Sequence, residues 1–143
     1  MPQPLIDAAQ AFPGKKIPLA VRALGKEIFF DTTTFAARAR GPVGCISCHV
    51  ESRAFTDGLA KAKNFHPNGE GGAFPQRNTP TIVNRLFSTR QLLDGRSPSV
   101  FDQVIHPFLA VNEFNLNGPA SAPYDRLLAV IRAEPYRTKF LTA

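Results

Sequence analysis

Apolar positions along the chain recur every three to four residues and nowhere alternate over a useful length, which predicts helices and no strands. Pro18 suits a first helical position. From there Leu19, Ala20, Ala23, Leu24, Glu27 and Ile28 follow helical spacing, so a helix is expected to end near Phe30 and Asp31. Residues 1–17 read as an irregular lead-in. The stretch Arg40-Gly41-Pro42-Val43-Gly44 is a turn, and Cys45 to about Glu51 is expected to be a short helix. Residues 52–80 carry many glycines, prolines and asparagines and read as a long loop, of the kind that is usually functional in a compact domain. A short helix is expected within 81–93. Ser97 and Pro98 look like an N-cap and first position, followed by an apolar face of Val100, Phe101, Val104 and Ile105 that Pro107 ends. Residues 112–123 form another loop. A last helix is expected from about Tyr124 to Ala133, with Leu127, Leu128, Val130 and Ile131 for the core, broken or kinked by Pro135. There is no internal repeat. The whole, 1–143, reads as one mainly α domain of four or five helices with long irregular loops.

Composition sharpens this picture. A chain of 143 residues, 43 % hydrophobic and 20 % charged, is an ordinary globular domain that can bury a core without disulfides. Twelve phenylalanines with two tyrosines and no tryptophan point to an apolar pocket. The net charge of +6 is spread over Arg38, Arg40, Arg53, Lys61, Lys63, Arg77, Arg85, Arg90 and Arg96, with no basic run. It reads as a solvated surface that can steer an acidic redox partner, and no nucleic-acid motif accompanies it. No run of 18 apolar residues spans a membrane. The opening residues lack the basic and apolar regions of a signal peptide.

The chemistry is concentrated in Cys45-Ile46-Ser47-Cys48-His49, the spacing of a haem c attachment site. On one helical turn, positions i, i+3 and i+4 share a face. Two thiols three apart therefore reach the two vinyl groups of one porphyrin, and His49 lies over the iron as proximal ligand. A redox disulfide would need a thioredoxin-like βαβ context. A structural zinc site would need four ligands. A plain buried cysteine pair leaves His49 unexplained. Attachment of haem normally takes place outside the cytoplasm, so the chain is read as a periplasmic protein without its leader, and its fold as a cytochrome c-like single haem domain.

The sixth iron position is open. The only methionine is Met1, so the His/Met pairing of an electron-carrying cytochrome c is set aside. His66, His106, water or no ligand remain. His66 lies in the Gly/Pro-rich loop, where a ligand can swing away. His106, just before Pro107, reads as a helix-end or core-edge residue more than a ligand.

Leu24-Gly25-Lys26-Glu27-Ile28-Phe29-Phe30-Asp31, the attachment motif, Ala54-Phe55-Thr56-Asp57-Gly58, Arg77-Asn78-Thr79-Pro80-Thr81 and Leu93-Asp94-Gly95-Arg96 occur in an order and spacing that resemble the amino-terminal, peroxidatic haem domain of the bacterial dihaem cytochrome c peroxidase and MauG family. The resemblance runs from about Leu19 to Phe140. It implies one covalent haem on Cys45, Cys48 and His49. It places His66 where the family often has a loop histidine that caps the iron at rest and leaves on activation. Gln103 and Glu113 match the distal glutamine and the catalytic glutamate that face peroxide. Asn78 matches a residue that helps hold calcium between two haem domains, which would need further ligands from a second domain. Glu113 also sits in an apolar stretch, where burial would raise its pKa toward proton transfer in peroxide cleavage.

Two departures accompany the resemblance. The family's second haem domain, with its own attachment motif, is not in this chain. Leu93 stands where the family usually has a tryptophan between the haems, which leaves Tyr124 and Tyr136 as the readily oxidised aromatics. The expected function is reduction of hydrogen peroxide with electrons from a small donor protein of cytochrome c or cupredoxin type, with a second haem domain or chain as a further partner. The alternatives are a single-haem electron-transfer domain with His66 held on the iron and, more weakly, a sensor of a diatomic gas.

Overall fold

The computed structural model describes residues 17–36, 39, 41–65 and 77–143. Among them lie five α-helices and no strand: α1 (Leu19–Phe30), α2 (Val100–Gln103), α3 (Ile105–Leu109), α4 (Asp125–Arg132) and α5 (Tyr136–Thr142), joined by loops and 3-10 turns. The expectation of a mainly α chain with long irregular loops is met. His66, with the rest of residues 66–76, and all of the expected lead-in but Ile17 lie outside the described residues.

Helix α1 begins directly after Pro18 and ends when Asp31 turns extended, its N–H still bonded to the Glu27 carbonyl at 2.9 Å. Leu24 is buried and Ile28, one turn on, packs against the core. Asp31 then ties three segments together. Its Oδ1 accepts the N–H groups of Thr33 (2.7 Å) and Thr34 (2.9 Å), and its Oδ2 accepts the Tyr136 hydroxyl at 2.8 Å from the start of α5. Helix α4 carries Asp125 in its first turn and Arg132 in its last, each sign suited to the helix dipole, and buries Leu127.

The core is small and aromatic. Leu24, Phe35, Val43, Phe108, Phe114, Leu116, Leu127 and Tyr136 are its buried members. Phe35 meets Phe108 and Tyr136 at 5.1 Å each, and Phe108 meets Phe114 at 4.9 Å, spacings at which tilted rings attract beyond the area they bury.

Four expectations are corrected. Cys45 to Glu51 is not one helix but two 3-10 turns, Cys45–Ser47 and Glu51–Arg53. The helix expected in 81–93 is a single 3-10 turn, Arg85–Phe87. There the buried Gln91 amide donates to the carbonyls of Arg85 (3.2 Å) and Ser88 (2.9 Å), while Asn84 and Leu92 take positive φ. Side-chain bonds to the backbone of this kind replace a helical ladder. Ser99, not Ser97, caps α2, accepting the Asp102 N–H at 3.0 Å. Pro107 does not end the helix but lies inside α3; the break falls at Val104. Proline has no N–H to give, and its ring crowds the carbonyl four residues earlier, here that of Gln103. Beyond Pro135 a helix missing from the sequence reading, α5, packs back onto α1 and α4.

Candidate functional site

The attachment segment is seated on the end of α1. Val43 N–H bonds the Thr32 carbonyl at 3.0 Å, and Gly44 follows with its α-carbon against the same backbone. A β-carbon there would come within 2.5 Å of the Asp31 oxygen. The Gly44 N–H donates to Ser47 Oγ at 3.1 Å. The chain then closes one turn, with Cys48 N–H (3.2 Å) and His49 N–H (2.9 Å) both reaching the Cys45 carbonyl. Both cysteines are unpaired and half-buried. Burial pushes each thiol up to about 11, and the Glu113 charge adds to the rise at both.

His49 is fixed by its neighbours. Its Nδ1 lies 3.0 Å from the Phe55 carbonyl. An oxygen acceptor there makes Nδ1 the protonated nitrogen and leaves Nε2 free to bind a metal, as metal-ligating histidines are usually arranged. Phe55 is presented by a tight return: Phe55 N–H bonds the Val50 carbonyl at 2.9 Å, Val50 N–H bonds the Thr56 carbonyl at 3.3 Å, and Ala54 and Phe55 both have left-handed φ, +52° and +59°. Two adjacent non-glycine residues in that region cost free energy, which the surrounding bonds must hold. Phe29 of α1 stands beside the imidazole, 6.4 Å between ring centres, and meets Phe55 edge-on at 6.1 Å.

Two buried polar residues complete this side. Asp57 is 4 % exposed; its Oδ1 accepts the Leu59 N–H at 3.1 Å and its Oδ2 has no hydrogen-bond partner among the described residues. Its charge adds to the rise at Cys48, while the buried Thr79 hydroxyl bonds that thiol and opposes it. The sequence motifs containing Phe55, Asp57 and Thr79 are legible, but the part each plays is visible only in three dimensions.

Glu113 is brought to the same place from the far end of the chain. After α3, the Ala110 carbonyl accepts the N–H groups of Glu113 and Asn115, both at 3.0 Å, and Leu116 N–H returns to the Phe108 carbonyl at 2.8 Å. Phe114 is thereby buried in the core, and its neighbour Glu113 stands close enough to Cys45 and Cys48 for its charge to act on both. Burial raises the Glu113 carboxyl above the usual carboxylate range, and the charge of His106 partly opposes this. Gln103 is half-buried at the end of α2. His106 is exposed, with Nε2 3.4 Å from Asp102 Oδ2. Asn78 is exposed. Phe65 donates its N–H to the Asn112 carbonyl at 2.8 Å, which brings it beside Glu113; His66 lies outside the described residues.

The donor set tests well against a haem c group. Two unpaired thiols lie on one turn, and the adjacent histidine has the outer nitrogen of its ring free. Among the described residues, no group of three or more His, Cys, Asp and Glu side chains is placed to hold a metal ion by itself. No helix among the described residues is long and apolar enough to cross a membrane.

The chain matches the family of di-haem cytochrome c peroxidases over residues 20–143, and it belongs to that family, whose cofactor is haem c. It is 35 % identical over 96 residues to a methylamine utilization protein MauG of Methylorubrum extorquens, covering 66 % of this chain and 25 % of that protein. It is 37 % identical over 94 residues to a cytochrome-c peroxidase IdrP2 of a Pseudomonas species, covering 64 % and 23 %. Against a cytochrome c551 peroxidase of Pseudomonas aeruginosa the identity is 27 % over 105 residues, covering 73 % and 28 %. The chain thus spans about a quarter of the length of these curated relatives.

Proposed function

We propose that this chain is a peroxide-reducing haem domain, with one haem c joined to Cys45 and Cys48 and its iron held by His49. The observation that carries the reading is the meeting of two distant segments: a histidine with Nε2 free, beside paired thiols, and a half-buried carboxyl of raised proton affinity, Glu113, whose charge acts on the same thiols. When bound, the haem supplies the iron that holds peroxide and passes electrons into its O–O bond. The remaining work falls to the chain. The Phe55 carbonyl orients the imidazole and strengthens its donation. Glu113 takes the proton from one peroxide oxygen and returns it to the other, a task that favours a carboxyl with raised affinity for protons. The Gln103 amide orients the substrate by a neutral hydrogen bond.

His66 serves as a resting-state cap on the iron in this reading, supported by its neighbour in sequence, Phe65, which bonds Asn112 next to Glu113. Electrons come from a small cytochrome c or cupredoxin in the periplasm, through a second haem domain or chain. The exposure of Asn78 suits a calcium ligand shared with such a domain.

The test is the absorption and EPR spectrum of the holoprotein, ferric and ferrous, before and after hydrogen peroxide. An iron that is open, or opens on reduction, and reacts with peroxide supports the proposal. Glu113→Gln then lowers kcat by a factor of about 100 or more, the usual contribution of a proton-transferring group. A low-spin bis-histidine spectrum in both oxidation states, indifferent to peroxide, overturns it and leaves an electron-transfer domain with His66 as sixth ligand.

A further inference from the structure

Splitting the O–O bond of peroxide takes two electrons together, whereas a small donor protein delivers them one at a time. One comes from the haem iron. The other is drawn from the porphyrin or from an oxidisable side chain of the protein. The chain has two tyrosines and no tryptophan, and the fold treats the two phenols differently. Tyr124 is 50 % exposed, whereas Tyr136 is 1 % exposed. The Tyr136 hydroxyl donates to Asp31 Oδ2 at 2.8 Å. The other oxygen, Oδ1, is held by the N–H groups of Thr33 and Thr34 (2.7 and 2.9 Å) and by the Thr33 hydroxyl (3.0 Å), so the carboxylate is fixed with Oδ2 toward the phenol.

This is the arrangement that oxidation of a phenol needs. An oxidised phenol is a far stronger acid than any carboxylic acid, so it passes its proton to a carboxylate along a bond already made. Lys139 Nζ lies 5.5 Å from the centre of the Tyr136 ring, and its positive charge, which would resist loss of an electron, is answered by its ion pair with Glu27. The pair is also connected to the attachment segment. Two hydrogen bonds lead from the phenol to Cys45: Tyr136 to Asp31 at 2.8 Å, then along the chain to Thr32, whose carbonyl accepts the Val43 N–H at 3.0 Å, and on through Gly44. Electrons tunnel more readily through such bonded paths than across gaps. Cys45 packs against the same core that buries Tyr136.

We propose that Tyr136, hydrogen-bonded to Asp31, supplies the second electron when peroxide is split and stays oxidised until the donor protein refills it. This rests on the peroxide-reducing function proposed above. At cleavage, peroxide takes one electron from the ferric iron and one from Tyr136. The phenolic O–H bond breaks, an O–H bond forms on Asp31 Oδ2, and the first water leaves. The donor protein then returns two electrons, one to the iron and one to the phenoxyl radical. Asp31 gives its proton back to the phenol, and two protons from solvent release the second oxygen as water. Tyr136 touches neither peroxide nor iron; it is a store for one oxidising equivalent.

The experiment mixes ferric holoprotein with hydrogen peroxide in the absence of a donor, freezes it within milliseconds and records the EPR spectrum. The parent protein is expected to give an organic radical signal that narrows when the tyrosines carry ring deuterium. Tyr136→Phe, which keeps the ring and its packing, loses that signal, and Tyr124→Phe keeps it. Asp31→Asn lowers its yield at least about tenfold, as loss of a proton acceptor does; where that variant unfolds, Tyr136→Phe decides alone. A tyrosyl signal that survives in Tyr136→Phe, or that Tyr124→Phe removes, overturns the inference. So does peroxide consumption with no tyrosyl signal, which leaves the second equivalent on the porphyrin or on a second haem and the peroxidase reading intact. Full yield in a folded Asp31→Asn overturns the part given to Asp31. A ferric haem indifferent to peroxide overturns the peroxidase reading and this inference with it.

Discussion

At the scale of single residues, the carboxylates divide by environment. Burial on its own would raise the Asp31 carboxyl, but hydrogen bonds from Thr34, Thr33 and Tyr136 outweigh it and hold it well below the usual range. A carboxyl lowered in the folded state adds stability above its unfolded pKa, about 3.9, and loses it as pH falls through the folded value. Asp31→Asn is therefore expected to be less stable than the parent at pH 7, with the difference shrinking below about pH 4. Urea unfolding at pH 7 and at low pH reads this directly; an equal difference at both would show that Asp31 acts through packing alone. Glu113 is shifted the other way, because burial outweighs the opposing charge of His106. The sequence placed Glu113 correctly as a carboxylate in an apolar stretch. It gave no sign of Asp31's part, since the Tyr136 bond spans 105 positions and no local pattern encodes it.

At the scale of elements, the attachment motif needed a helix in the sequence reading and received a single tight turn. The i, i+4 contact survives, since His49 N–H still reaches the Cys45 carbonyl, and that is all the chemistry requires. Helix α1 and the core face of α4 were legible because their apolar residues repeat over several turns. The 81–93 segment was misread because a buried glutamine supplies the hydrogen bonds, and the break at Val104 because proline acts on the residue four earlier. Helix α5 was hidden by Pro135, which stops one helix and permits another to start. Seating of the motif depends on Gly44, whose missing side chain lets it lie on the end of α1. Gly44→Ala is expected to destabilise the fold by about 1–3 kcal/mol, the range for forcing atoms into close-packed space. It also shifts the haem spectrum, because the turn that aims His49 is displaced. Thermal unfolding and absorption of the variant test this, and an unchanged spectrum with unchanged stability would show that the turn is seated by other contacts.

At the scale of the whole molecule, eight buried hydrophobic side chains form the core of the described residues, and the site lies at its edge, with Cys45 packed against it. The family's cofactor was legible from five residues, whereas the meeting of Glu113 with the thiols required the fold. That meeting has a consequence for how the molecule is put together. Thioether formation needs a nucleophilic sulfur, yet in the folded, haem-free chain burial and Glu113 push both thiols up to about 11. Alkylation of Cys45 and Cys48 in the folded, haem-free chain is accordingly expected to run at least about tenfold slower than in the chain opened by denaturant, after the lower thiolate population is weighed against its higher intrinsic reactivity. Equal rates, followed by mass spectrometry, would contradict this. For the attachment proposed above, the expected direction of assembly follows: the sulfurs react with the porphyrin while the chain is still open, ahead of the packing that brings Glu113 beside them.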